Sequence, residues 1–595
     1  MKELRALLPY LRRYRGGIAW GLVLVVLANV FTLIGPYLIK RGVDALGDPA
    51  VTQGVVLRYA GLVVLTAIFG GAARYGMREL LNGVSRKVEF DLRNDFFSHL
   101  LHLDAPFYGS MPTGEIMSRA TNDIQAVRMV AGPAYMYLVN TVVISVLALS
   151  LMVWIDPWLT VMALIPMLAL PPVTLGFGTL IHERFERIQE QFGDLSTMAQ
   201  ENLAGVRIVK AYGQEDPQAE HFRALSEDYL HRNLRLVRVS GLFHPLLGML
   251  SGLAAVIVLL IGGRAVMLGD ITIGDFVAFI LYLGMLTWPM IALGWVVNLF
   301  QRGAASMGRI NRIFATEAGV RSPTEPLPVS GIAGDIEIQG VSFRYPGTER
   351  EVLRDISFRV SAGSTLAIVG GTGSGKSTLV KLLVRMYDPT AGRILIDGIP
   401  LDRIPIDKLR ASVGVVPQET FLFSDTIREN LALGFDIDSP DREEERVRQA
   451  ARVAQLDDTV MEFPKGYDTL LGERGINLSG GQKQRATLAR AVARDPEILI
   501  LDDALSAVDT HTESEILSGL REVLVGRTSI IVSHRVSAVM EADLIVVLDE
   551  GRLVESGTHA ELLQRGGTYA TLQHRQLLQE DLEEVDILAP SEGAG

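Results

Sequence analysis

Six stretches in the first half of the chain are almost wholly apolar: 18–39, 56–76, 135–155, 158–180, 242–268 and 276–300. Each is long enough to cross the roughly 30 Å of bilayer hydrocarbon as a helix. The polar segments between them alternate. After the first, third and fifth stretches they are short and acidic, with Asp44 and Asp48, Asp156, then Asp270 and Asp275. After the second and fourth they exceed fifty residues and are rich in cations such as Arg86, Arg93, Arg128, Arg184, Arg207 and Arg238. Cations gather on the cytoplasmic side of a membrane, so the long segments and both termini are expected there. Lys40 and Arg41 close the first stretch on the opposite side and read as side chains snorkelling to the interface, as do Arg74 and Arg264. Asn29, Asn140 and Thr141 lie in mid-span and suit hydrogen bonds between helices.

The long polar segments keep apolar residues at helical spacing, which predicts that the spanning helices continue beyond the membrane. Each segment is interrupted once, at 104–123 and at 210–222. The pattern leaves a transverse helix pressing on another domain and an ordinary helix corner equally open. Gly35 with Pro36, Pro166, Pro171 with Pro172, Pro245 and Pro289 predict kinks inside the spans. Ahead of them, residues 1–17 place Leu4, Leu7, Leu8 and Leu11 on one helical face beside arginines, the pattern of a helix lying on an anionic leaflet. The membrane domain is thus expected over 18–320.

The pattern changes over 321–335, a linker rich in Pro, Ser and Gly. From 336 to 575 aliphatic runs at 336–345, 365–371, 412–418, 497–503, 528–534 and 543–551 alternate with helical stretches. Such runs predict a largely parallel sheet covered on both faces. An acidic tail follows over 576–595. The expected fold is multidomain, an all-α polytopic bundle of six long helices joined to an α/β domain. A hydrophobic content of 48% accords with membrane spans, and a net charge of −12 argues against a nucleic-acid partner. The absence of Cys excludes disulfides and thiolate metal sites.

The chemistry lies in the second domain. Gly370, Gly371, Thr372, Gly373, Ser374, Gly375, Lys376 and Ser377 fit G-x-x-x-x-G-K-[ST] between an aliphatic strand and the helix that begins with Ser377 and Thr378. The glycines let backbone N–H groups close around phosphates, Lys376 reaches the β- and γ-phosphates, and the Ser377 hydroxyl can bind Mg²⁺. Asp502 ends a buried strand and is the natural second anchor for the metal. Further along, Ser479, Gly480, Gly481 and Gln482 open a helix whose free N–H groups and dipole suit another phosphate.

The phosphate loop, LSGGQ at 478–482 and ILILDD at 498–503, in that order, resemble the nucleotide-binding P-loop domain of ATP-binding cassette (ABC) transporters. With six spans in front, the chain resembles one half of a B-type ABC exporter. The resemblance implies ATP and Mg²⁺ as cofactors. It implies that Tyr345 stacks on adenine, that Gln418 senses Mg²⁺ and the attacking water, and that His534 is the switch histidine at the γ-phosphate. Asp509 is assigned to the loop where two such domains meet, GERG at 472–475 to an exporter loop, and the two interruptions to coupling helices. ATP in the family lies between one domain's phosphate loop and its partner's LSGGQ, so a second half-transporter is implied. A bacterial inner or plasma membrane and an amphiphilic drug, lipid or peptide as cargo are implied as well.

One position departs from the family. Where Glu should follow the metal-binding Asp, this sequence has Asp503, shorter by one methylene or about 1.5 Å of reach. Misplacement of that order costs on the order of 10²-fold in rate. With LSGGQ, His534 and the phosphate loop intact, the chain resembles the degenerate-site subunit of heterodimeric exporters. A homodimeric lipid or drug flippase in which Asp suffices, and an ATP-gated channel or regulatory subunit, are the alternatives. The near absence of charged residues in the spans counts against the channel.

Overall fold

The computed structural model describes residues 2–47, 50–328, 331–435, 440–472, 475, 477–506, 508, 510–536 and 539–576. Asp509, Glu473 and Arg474 of the GERG loop, and the tail beyond Gln576 lie outside the described residues. The chain forms two compact units, Met1–His102 with Met111–Glu317, and Leu103–Ser110 with the chain from Ala318 onward.

In the first unit six helical segments among the described residues are long and apolar enough to cross a membrane: α1 (Arg15–Leu46), α2 (Gln53–Leu101), α3 (Thr113–Ile155), α4 (Pro157–Ala204), α5 (Glu215–Leu268) and α6 (Ile273–Phe314). They are 32 to 54 residues long, against the roughly 20 that a bilayer requires, so each extends well past the hydrocarbon. Caps fix where they start. Asp156 accepts the Leu159 N–H at 2.8 Å ahead of α4, and Thr272 with Asp275 forms a capping box at α6. Pro36, Pro245 and Pro289 sit inside helices, whereas Pro166 precedes a break at 168–169.

Four expectations need correction here. The segment before α1 is not one amphipathic helix but a 3₁₀ turn, Lys2–Leu7, followed by a short helix, Leu8–Arg13. Pro9 lacks the N–H that a continuous helix would need. The second interruption lies earlier than 210–222: its short helix is Val206–Ala211, and α5 already begins at Glu215. Gly205 before that helix and Gly213 after it, at φ +59°, make the turns. Lys40 does not snorkel but pairs with Asp275, the two side chains being only 14% and 13% exposed, and its ammonium lies 5.3 Å from the Trp154 ring. Arg74 likewise finds a partner inside the unit, donating to Thr32 Oγ1 at 3.0 Å. The Asn29 amide does join α1 to α3, donating to Asn140 Oδ1 at 2.9 Å.

The second unit is built on two sheets. The larger has the order β10-β9-β3-β8-β7-β6, from β3 (Thr365–Gly370), β6 (Val413–Val416), β7 (Ile498–Asp502), β8 (Thr528–Val532), β9 (Leu544–Asp549) and β10 (Arg552–Gly557). All its pairings are parallel except β9 with β10. Along β7, Leu499 and Leu501 enter one buried cluster and Ile498 and Ile500 the other, so both faces are covered and the strand reads as an unbroken aliphatic run. The run at 336–345 does not join this sheet. As β1 (Ile336–Arg344) it pairs antiparallel with β2 (Glu351–Val360) and β4 (Ala391–Ile396), in a second sheet completed by β5 (Ile399–Pro400). Its alternation of buried and half-exposed residues is that of a sheet with one covered face.

Candidate nucleotide site

The parallel strands β3, β6, β7 and β8 end at one edge of the sheet, and each delivers a predicted site residue there. Ligands of open parallel sheets bind at this carboxyl edge. Beyond β3 the chain turns through 371–375 into α7 (Lys376–Leu383). Glycine is required at two points of the turn. Gly370 has φ +154° and any Cβ there would lie 2.1 Å from the Leu548 carbonyl oxygen. Gly375 has φ +103° and its Cβ would meet Leu353 Cδ2 at 2.6 Å. The loop is therefore a cradle of bare backbone at a helix N-terminus.

Lys376 is buried, and its ammonium donates to the carbonyls of Gly370 at 2.9 Å and Gly371 at 2.8 Å. Burial pushes the ammonium below its ordinary range, while Asp503 and Asp502 pull it back. The Ser377 hydroxyl donates to Asp502 Oδ1 at 3.1 Å, joining the two residues predicted to hold Mg²⁺. Burial also raises the Asp502 carboxyl above its ordinary range, and the neighbouring Asp503 adds to that shift. A cation bound there would oppose the Asp502 shift by favouring the carboxylate. Buried Ser374 Oγ has no hydrogen-bond partner among the described residues and lies in the loop among the bare backbone amides. The unpartnered hydroxyl, the glycine cradle and the buried ammonium fit a phosphate chain, and the Ser377 and Asp502 oxygens fit the hard cation that travels with it. Bound Mg²⁺ would supply charge neutralisation between phosphates.

Asp503 follows Asp502 on left-handed backbone, φ +52°, and is half-buried. Its N–H donates to the Val532 carbonyl at 2.9 Å. Gln418 lies two residues past β6, whose last residue Val416 pairs with Leu501, and is exposed. His534 lies two residues past β8, also exposed, and Val532 pairs with both Ile368 and Asp502. Tyr345 donates to or accepts from Thr378 Oγ1 at 3.1 Å, packs edge-on against Tyr387 at 5.3 Å, and has the Lys381 ammonium 5.8 Å from its ring centre. Tyr345 is thus tied to α7 directly behind the phosphate loop.

The LSGGQ residues are at the start of another helix, α8 (Gly480–Ala493). Ser479 caps it, accepting the Gln482 N–H at 3.3 Å while Gln482 Oε1 accepts the Ser479 N–H at 2.9 Å. Gly480 is exposed and Gly481 half-exposed in the first turn that this reciprocal cap opens. Sequence reasoning missed three supports of the site. Lys381 over Tyr345 is one. The chain of bonds from Gln484 through Ser506 to the Asp503 carbonyl, at 3.0 and 3.1 Å, is another. The third is the turn holding His534. Each joins residues far apart in sequence, and no local spacing signals them.

The phosphate loop, buried Asp502 at the end of β7 and the LSGGQ helix, fused to a six-span helical domain, define a membrane-embedded P-loop ATPase. The ABC transporter transmembrane region model matches residues 18–290, and the ABC transporter model residues 353–506. The chain is 40% identical to a probable multidrug resistance ABC transporter ATP-binding/permease protein, YheI, of Bacillus subtilis, covering 94% of each. It is 38% identical to the multidrug resistance-like ATP-binding protein MdlA of Escherichia coli, covering 96% of each. Identity to an ATP-dependent lipid A-core flippase of Syntrophus aciditrophicus is 33%, over 98% of this chain and 96% of that one. A solved bacterial Atm1-family ABC exporter with ATP bound matches with TM-score 0.75 at 31% identity, over 95% of this chain and 99% of that one. The chain belongs to the ABC transporter family. It is an integral membrane exporter half whose ATPase domain drives transport.

Proposed function

We propose that this chain is the unequal half of a heterodimeric exporter for amphiphilic or hydrophobic cargo. The observation that carries the proposal is Asp503, a short carboxylate where the family has Glu, beside an intact LSGGQ helix. Its own site, built on Lys376, Ser377, Asp502 and Asp503, binds Mg²⁺ and ATP and hydrolyses slowly. Gln418 and His534 face the transferring phosphoryl group from the neighbouring strand ends. Ser479 and the Gly480 and Gly481 amides complete the charge shell of ATP in the partner's site. The cation bias of the long polar segments supports a cytoplasmic ATPase domain. Drugs and lipids are the cargo classes that the names of its relatives carry, and either is amphiphilic.

Purification with its endogenous partner, followed by hydrolysis and transport assays on the pair, tests this reading. Asp503→Glu should leave overall turnover within a few-fold, whereas replacing the partner's Glu should nearly abolish it. The flippase relatives favour a second reading, a homodimeric lipid flippase. A rapidly hydrolysing homodimer of this chain alone would establish that reading and overturn the heterodimer.

A further inference from the structure

His534 leaves β8 as the exposed residue of a short turn whose flanking Ser533 and Val536 are buried, and the two ends of the turn are held differently. Ser533, at the near end, is anchored by its N–H to the Ile368 carbonyl at 3.4 Å and accepts the Arg535 N–H on its hydroxyl at 2.9 Å. The Arg535 guanidinium pairs with the buried Glu513 carboxylate. At the far end, the His534 carbonyl and the Val536 N–H are both taken by one side chain, the amide of Gln576. Its Nε2 donates to His534 O, and its Oε1 accepts from Val536 N at 2.7 Å. A planar amide carries a donor and an acceptor at this spacing, so Gln576 acts as a peptide group of a neighbouring strand would. Glu could accept from Val536 but would set a lone pair against the His534 carbonyl.

The amide is itself delivered from a fixed place. Gln576 is the last described residue of the helix that begins at 568. At that helix's start the Glu555 carboxylate on β10 accepts the Thr568 N–H at 2.6 Å and the Tyr569 N–H at 3.1 Å, a favourable charge at a helix N-terminus. Tyr569 is fully buried and shares a hydrogen bond with His559 Nδ1 at 2.7 Å.

We propose that Gln576 is a positioning residue for ATP hydrolysis: it fixes the main chain of residues 534–536 so that the His534 imidazole faces the γ-phosphate. The inference rests on the reading of His534 given above and adds to it a residue outside the sequence motifs. The experiment uses the purified full-length transporter, with hydrolysis isolated at the Lys376 site by disabling the partner's site where the partner is unlike. Gln576→Ala and Gln576→Glu are expected to lower kcat roughly three- to tenfold, as small misplacements do, with KM for ATP within about twofold of the parent. Amide hydrogen exchange at Val536 should speed up in Gln576→Ala. In a His534→Ala background Gln576→Ala should cause no further loss. Unchanged kcat in the two variants while His534→Ala lowers it would overturn the role of Gln576 alone. No loss in His534→Ala would overturn the reading of His534 and with it the role of Gln576. A full additional loss in the His534→Ala background, or a loss confined to KM and thermal stability, would make Gln576 merely structural.

Discussion

The Asp503 N–H donates to the Val532 carbonyl at 2.9 Å with Asp503 at φ +52°, so the acid that follows buried Asp502 is fixed in the left-handed region. Asp enters that region more readily than Glu, because its short side chain can bond the local backbone. Asp503→Glu therefore brings two opposed effects, a longer reach toward the phosphate and a backbone penalty that is a fraction of the ~1–2 kcal/mol an ordinary residue incurs. The thermal midpoint of Asp503→Glu is expected to fall by less than about 4 °C. Asp503→Asn keeps the backbone preference and removes the charge. It should leave the midpoint unchanged and lower hydrolysis at this site. Parental hydrolysis by the Asn variant would refute a role for the carboxylate.

Asp502 sets a pH dependence. Its folded carboxyl titrates above the ordinary range, chiefly through burial, so the folded apo protein holds a proton where the unfolded chain has lost it. Stability of the apo protein from this group is accordingly greatest at low pH and declines as pH rises through the raised value. Mg²⁺ binding has the opposite sign, since the cation requires the carboxylate. Mg²⁺-dependent nucleotide affinity should weaken on acidification at a higher pH than an exposed Asp would give. Asp502→Asn should raise the apo thermal midpoint near neutrality and abolish the Mg²⁺-dependent step in affinity. Calorimetry of nucleotide binding across pH, with and without Mg²⁺, checks both signs.

The sequence was most legible where structure follows from neighbours in the chain. The six spans stand out because uniform apolarity over twenty residues admits few alternatives, and Gly370 to Ser377 because strand, glycine turn and helix occur in one local run. The antiparallel sheet of β1, β2 and β4 escaped because aliphatic runs at 336–345 and 365–371 look alike until their partners are known. Lys40 was read as snorkelling because it closes an apolar span; the carboxylate it actually pairs with, Asp275, arrives from α6 and not from its own helix, where Asp44 lies four residues on. Gln576 carries no motif at all, and only the packing of the helix 568–576 against β10 brings its amide to His534.

The Lys40–Asp275 pair ties the end of α1 to the start of α6, and Asp44 Oδ1 beside it accepts the Gly274 N–H at 2.9 Å. Removing one partner leaves a half-buried charge, so Lys40→Ala should destabilise by about 1–3 kcal/mol, less than the 3–5 of a fully buried pair. Lys40→Met with Asp275→Asn replaces both charges and should recover most of the loss. Thermal unfolding of the two single variants and the double variant in detergent measures the coupling. Additive losses would show that the pair contributes nothing beyond its separate side chains.

Ser506 stands between the signature helix and the catalytic edge. Its hydroxyl donates to the Asp503 carbonyl at 3.1 Å and accepts from the buried Gln484 amide on α8 at 3.0 Å. The start of α8 is the surface proposed to meet the partner's ATP, while Asp503 serves the chain's own. Ser506→Ala removes both bonds and is expected to cost roughly 1–2 kcal/mol of stability, since each neutral hydrogen bond contributes about 1 kcal/mol net. Its functional effect should exceed that of a simple stability loss. If the bond chain transmits position between the two sites, Ser506→Ala lowers hydrolysis at both, and Ser506→Thr, which keeps the hydroxyl, restores most of it. Hydrolysis measured with each site disabled in turn separates the cases. A loss at one site alone, with the other at its parental rate, would confine Ser506 to local support of the Asp503 turn.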